Sequence, residues 1–166
     1  MTPAVLIAFA TEHGSTEEVA AELAGRLSAC GIVAYTCAAR DVKSLEGYDG
    51  VVLGSALYTG RLHRDGRNFL HRFGRELGER PFAIFALGPR TAAEEDMASS
   101  RRQLDAALAK EPLLEPFAAA VFGGAFDPAQ HHFPFNRMPA SDARDWTEIR
   151  SWGDGVSRRF AAVEAA

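Results

Sequence analysis

A chain of 166 residues, 47% hydrophobic and 24% charged, has the length of one domain and enough apolar surface to bury a core of its own. This composition excludes disordered, collagen-like and disulfide-stapled chains, and a net charge of -4 argues against general nucleic-acid binding. A single domain over residues 1–166 is expected. Cys30 and Cys37, close together and away from histidines, read as reduced thiols rather than zinc ligands, which fits a cytoplasmic address. No apolar run approaches the roughly 18–20 residues of a membrane span, and Met1 leads into a strand-like run without the charged start or cleavage site of a leader. The expectation is a soluble, cytoplasmic protein with no transmembrane segment.

In chain order, the first strand is Ala4–Phe9, followed by a helix that starts at Ser15 or Thr16 as N-cap, carries Val19, Leu23 and Leu27 on one face and ends at Gly31. Strands follow at Val33–Cys37 and Gly50–Ser55. Phe69, Leu70, Phe73 and Leu77 form the stripe of a second helix, Phe82–Leu87 a fourth strand, and Glu94–Lys110 a third helix with Met97, Leu104 and Leu108 inward. The fifth strand is Ala118–Phe122. A last helix opens after Ser141, with Trp146, Ile149, Gly153, Val156 and Phe160 at helical spacing. Short, nearly continuous apolar strands separated by helices point to a parallel sheet covered on both faces, an α/β three-layer sandwich. Gly123–Ala140 is far longer than the usual connection of about two to six residues.

Ligands of an open α/β sheet bind beyond the carboxyl ends of its strands. Three loops are expected there. Thr11-Glu12-His13-Gly14-Ser15-Thr16 follows the first strand into a helix N-terminus, where hydroxyls, a glycine and unsatisfied amides suit a phosphate. It holds no Lys or Arg and lacks GxGxxG, so a monophosphate is favoured over a P-loop ligand or a dinucleotide. A hydroxyl-rich helix start without ligand is the plainer alternative. Gly54–Arg61 brackets Tyr58 with small residues, letting a planar ring approach the backbone and stack. Leu87-Gly88-Pro89-Arg90-Thr91 adds amides and a cation. A phosphate at one end and a flat apolar ring at the other describe flavin mononucleotide (FMN), which carries its own redox chemistry and needs no side-chain nucleophile. Neither a nucleophile elbow nor a metal site is expected, His131-His132 having no carboxylate or cysteine beside it in sequence.

The segments VLIAFATEHGSTEEVA, YDGVVLGSALYTGRLHRDGRNFLHRF, VFGGAF and DWTEIRSW resemble the flavodoxin-like family, and within it the menaquinone-dependent protoporphyrinogen oxidases. The resemblance implies a five-stranded parallel sheet of order 2-1-3-4-5 with FMN at its carboxyl edge. It assigns the phosphate to Thr11, His13, Gly14, Ser15 and Thr16, and the ring to Ala56, Leu57, Tyr58, Thr59 and Gly60, with Leu87, Gly88 and Arg90 on the other flank. The function implied is that of an FMN-dependent oxidoreductase similar to protoporphyrinogen oxidases, with a quinone acceptor. A flavodoxin-type electron carrier without its own substrate is the other reading. The long loop lacks an aliphatic stretch to lie in a bilayer, which argues against peripheral membrane contact.

Between Arg61 and Arg80 stand six arginines against three acids, so this segment is +3 and the remainder -7. A carrier of the flavodoxin type usually docks through an acidic rim, whereas a cationic flank suits a small anionic substrate or an acidic redox partner. Arg61, Arg64 and, on the long loop, Arg137 are the candidate substrate-binding residues. The plainer alternative is a solubilising helix face.

Overall fold

The computed structural model describes residues 2–164; Met1, Ala165 and Ala166 lie outside the described residues. Five parallel strands form the central sheet: β1 (Ala4–Ala10), β2 (Val33–Ala38), β3 (Gly50–Tyr58), β5 (Phe82–Leu87) and β6 (Ala118–Phe122). Their order is β2-β1-β3-β5-β6, and β4 (Arg61–Leu62) adds an antiparallel strand to the end of β3. Numbered by the five parallel strands alone, this is the expected 2-1-3-4-5.

The nearly continuous apolar runs arise because both sheet faces are buried. Leu6, Ala8, Val51, Leu53, Ile84 and Ala86 face the helices α2 (Arg64–Gly78) and α3 (Glu94–Ala109), meeting Phe69, Leu70, Phe73, Leu77 and Leu104. Val5, Ile7, Val52, Ala83, Phe85 and Leu87 face α1 (Ser15–Ala29) and α4 (Trp146–Glu164), meeting Val19, Leu23, Leu27, Ile149, Val156 and Phe160. Alternate residues of one strand thus serve two separate cores. No helix among the described residues is long and apolar enough to cross a membrane.

Four local expectations are corrected. β3 runs three residues past Ser55, so Ala56, Leu57 and Tyr58 belong to a strand rather than a loop. The chain then reverses through Thr59 (φ 48) and Gly60 (φ 81), a two-residue turn with both φ positive, the hairpin geometry whose twist matches the flanking strands. The N-cap of α1 is neither Ser15 nor Thr16 but Gly14, in the left-handed region at φ 89 and with no side-chain cap.

The long connection is not one irregular loop. β7 (Ala125–Phe126) pairs antiparallel with β8 (Ser141–Asp142), and the residues between them carry two short 3-10 turns. Asp145 then caps α4 by accepting the Glu148 N–H at 3.1 Å, so the helix begins at Trp146 rather than just after Ser141.

The arginines of residues 61–80 divide in two. Arg80 donates to the carbonyls of Leu45, Tyr48 and Glu76, and Arg72 to that of Ala39, tying α2 to the β2–β3 connection. Arg75 pairs with Glu79 on the surface. Arg61, Arg64 and Arg67 line a cavity beside Tyr58. The expected cationic flank is therefore narrower than the local charge suggested.

Candidate functional site

At the carboxyl ends of β1, β3 and β5 a cleft of about 510 Å³ brings together residues from five chain segments. His13 and Ser15 come from the β1–α1 connection, and Ala56, Leu57, Tyr58 and Thr59 from the end of β3 and its turn. Leu87, Gly88 and Arg90 come from the end of β5. These nine were expected in a ligand site from sequence. The remaining expected cofactor residues lie nearby: Thr11 and Gly14 line a neighbouring cavity of about 460 Å³, Thr16 is fully buried behind the loop, and Gly60 is in the exposed β3–β4 turn.

The start of α1 has the chemistry of an anion seat. Thr11 Oγ1 accepts the Gly14 N–H at 3.0 Å and shapes the loop. The first helical bond runs from the Glu18 N–H to the Gly14 carbonyl, which leaves the amides of Ser15, Thr16 and Glu17 without helical acceptors. Thr16 Oγ1 is buried without a hydrogen-bond partner, one of two such side-chain atoms among the described residues; Ser141 Oγ is the other. A buried hydroxyl left unpaired costs about 1–3 kcal/mol. Together with the helix dipole, these groups fit a phosphate monoester.

Sequence reasoning missed one wall of the cleft as a site. Glu12, Gly124, Ala125, Phe126, His131 and Phe135 also line it. His131 stacks on Phe126 with ring centroids 4.5 Å apart and meets His13 at 4.3 Å, while the Arg90 guanidinium lies 3.9 Å from the centre of the Phe126 ring. This ladder links the first and third expected loops to the long connection. The available signal was the density of aromatics in residues 123–140. Opposite, the Tyr58 hydroxyl accepts the Glu12 N–H at 3.3 Å, which fixes the Tyr58 ring relative to the α1 loop.

Of the candidate substrate residues, Arg61 and Arg64 line a separate cavity of about 360 Å³ that shares Glu12, Tyr58 and Thr59 with the cleft. Arg137 does not join them. It is exposed on a 3-10 turn of the long connection, with its guanidinium 5.4 Å from the Phe133 ring centre. A larger groove of about 990 Å³ runs along β6 and α4, lined largely by apolar and aromatic side chains, with Asp145, Glu148 and Arg159 as its charged residues.

The cleft is braced from behind by Arg144. Its guanidinium forms two hydrogen bonds with Asp142, at 2.9 and 2.8 Å, and donates to Glu18 at 2.8 Å and to the Ser15 carbonyl at 3.3 Å. β8 is thereby fastened to the start of α1. These hydrogen bonds hold the Asp142 carboxyl below the usual carboxylate range. A depressed folded value contributes stability that is present above the unfolded value of about 3.9 and is lost as pH falls through the folded one. Asp142→Asn should therefore be less stable than the parent at pH 7, and the gap should close as pH falls below about 4, as read by urea denaturation across pH. A gap independent of pH would show that the pair does not couple to folding.

Several known proteins share this fold. Solved structures with the same fold include a Pseudomonas aeruginosa flavodoxin mutant (TM-score 0.64, 14% identity, covering 95% of this chain and 99% of that one). A Fusobacterium nucleatum flavodoxin bound to FMN matches with TM-score 0.58 and 15% identity, covering 96% and 97%. In sequence, the chain is 31% identical over 84 residues to the protoporphyrinogen IX dehydrogenase [quinone] of Escherichia coli K12. That match covers 49% of this chain and 46% of the relative, so the chain spans about half the length of the curated relatives it matches. The flavodoxin domain model matches residues 6–137, which take in the sheet, the α1 start, the β3–β4 hairpin and most of the aromatic wall. With that model matching residues 6–137 and the sheet order in agreement, the chain belongs to the flavodoxin domain family.

Proposed function

We propose that the chain is an FMN-dependent oxidoreductase acting on a small anionic or quinone-type molecule, with a quinone as electron acceptor. The observation that carries the reading is the buried, unpartnered Thr16 hydroxyl at the start of α1, which has no side-chain cap, behind the loop that helps wall a cleft of about 510 Å³ lined by Tyr58 and Phe126. A phosphate monoester supplies the acceptor oxygens that this hydroxyl and the free amides lack. Thr11, His13, Gly14, Ser15 and Thr16 would hold the phosphate. Ala56, Leu57, Tyr58, Thr59 and Gly60 would frame the ring, with Leu87, Gly88 and Arg90 on its other flank. When bound, FMN supplies the electron-transfer chemistry. The chain's own part is to anchor the phosphate, to stack Tyr58 against the ring and to exclude water with Phe126, His131 and Phe135.

The Escherichia coli relative is named for the dehydrogenation of protoporphyrinogen IX with a quinone, which makes that pair the first substrates to test. A substrate-free electron carrier docks best through an acidic rim, and the arginines of the cavity beside Tyr58 work against that alternative. In the test, FMN-loaded protein is mixed anaerobically with protoporphyrinogen IX and menadione. The reading expects quenched flavin emission on loading, and porphyrin fluorescence rising with menadione reduction in proportion to protein. Bound FMN without porphyrin formation above the uncatalysed rate would leave the electron carrier. Failure to bind FMN would refute both.

A further inference from the structure

Tyr58 and Arg61 are a direct cross-strand pair of the β3–β4 hairpin, joined by the Thr59-Gly60 turn. Cross-strand partners project on the same face of the ribbon, so the hairpin sets a guanidinium beside the ring-stacking tyrosine. The next turn of chain adds Arg64 and Arg67 at the start of α2, and all three line the cavity of about 360 Å³ that shares Tyr58 with the cleft.

These arginines are available to a ligand in a way the others of the segment are not. Arg67 donates its Nε–H to the Leu62 carbonyl at 3.1 Å, which fixes the guanidinium plane while its terminal amino groups have no partner among the described residues. Arg61 has no ion-pair partner among the described residues, and Arg64 makes a loose contact with Asp65 at 3.8 Å. One carboxylate, Glu12, lines the same cavity, and it is flanked by His63 at 3.7 Å and His13 at 3.8 Å. Three cations thus face one histidine-flanked acid.

We propose that Arg61, Arg64 and Arg67 form an anion subsite that takes the carboxylate of a planar substrate whose ring lies at Tyr58. This rests on the flavin reading above for the position of the ring. Guanidinium forks match the two oxygens of a carboxylate, and three of them line one half-open cavity whose volume of about 360 Å³ suits a small oxyanion. The subsite selects substrates by charge and orients them with the ring toward the cleft.

The experiment titrates FMN-loaded protein by calorimetry with anthraquinone-2-carboxylate and with neutral anthraquinone-2-carboxamide, a pair that differs in charge at constant shape. The carboxylate should bind at least about tenfold tighter at low ionic strength, with the preference shrinking as salt is added. In Arg61→Gln/Arg64→Gln the preference should fall to near unity while the amide binds as before. Arg137→Gln should keep the preference. Equal binding of the two compounds by the parent protein, or a preference that survives the double substitution, overturns the subsite. FMN emission quenching is recorded alongside: a parent protein that does not bind FMN refutes the flavin reading, and the carboxylate preference, measured on that same protein, still decides the subsite.

Discussion

Ser15→Ala combined with Thr16→Val is expected to weaken FMN binding at least about a hundredfold, because hydrogen bonds to a charged group are worth about 1.5–3 kcal/mol each. Thr16→Val alone should act with opposite signs on two quantities. The threonine hydroxyl is buried without a partner, so its replacement by a methyl group should leave the ligand-free protein as stable as the parent, or up to about 1 kcal/mol more stable. The same change should weaken FMN. Thermal melting of the ligand-free variant and fluorescence titration with FMN read the two effects separately. A destabilised Thr16→Val protein would show that the hydroxyl has a structural partner, and unchanged FMN affinity in the double variant would remove the phosphate seat from α1.

Phe85→Ala should cost about 3–5 kcal/mol of folding stability, the largest single-residue effect expected outside the site. Phe85 is fully buried on β5, stands 6.1 Å centre to centre from Phe122 and 5.9 Å from Trp152, and fills the space above Gly54 on the neighbouring strand. A Cβ built on Gly54 would come within 2.1 Å of the Phe85 ring, so the glycine exists to admit the phenyl group. Gly54→Ala should therefore destabilise by overpacking, about 1–3 kcal/mol, and Gly54→Ala/Phe85→Leu should lose less than the sum of its single changes. Guanidinium denaturation measures Phe85→Ala and the four members of the cycle: the parent, Gly54→Ala, Phe85→Leu and the double variant. Strict additivity would mean that the two residues do not compete for one volume.

How far this architecture was legible depends on the length of each signal. The five parallel strands are readable because residues such as Val51, Val52 and Leu53 must be apolar on both faces, which produces unbroken runs. The β3–β4 hairpin is not, since a two-residue strand leaves no period to detect and Thr59 adopts a positive φ that its side chain does not advertise. β7 and β8 pair across a gap of more than a dozen residues, a contact that only the folded chain defines. The same reason separates the arginines. Arg72 and Arg80 are committed to carbonyls more than thirty residues away in sequence, whereas Arg61 and Arg64 are not, and local charge counts all of them alike.

The site shows the same division. The hydroxyl-rich loop before α1 and the residues around Tyr58 announce themselves by type and spacing. The Phe126–His131–His13 ladder does not, because its members meet only after the long connection folds back over the cleft. Gly14 rather than Ser15 or Thr16 at the N-cap has a chemical consequence: a side-chain cap would have consumed one of the amides left free at the start of α1.

The most direct test of a phosphate-anchored flavin cleft is a paired fluorescence titration of the ligand-free protein with FMN and with riboflavin, which differ only in the phosphate. The account predicts FMN tighter by about a hundredfold or more, a difference of roughly 2.7 kcal/mol, nearly abolished in Ser15→Ala/Thr16→Val. Equal affinity for the two flavins, or binding of neither, would contradict it.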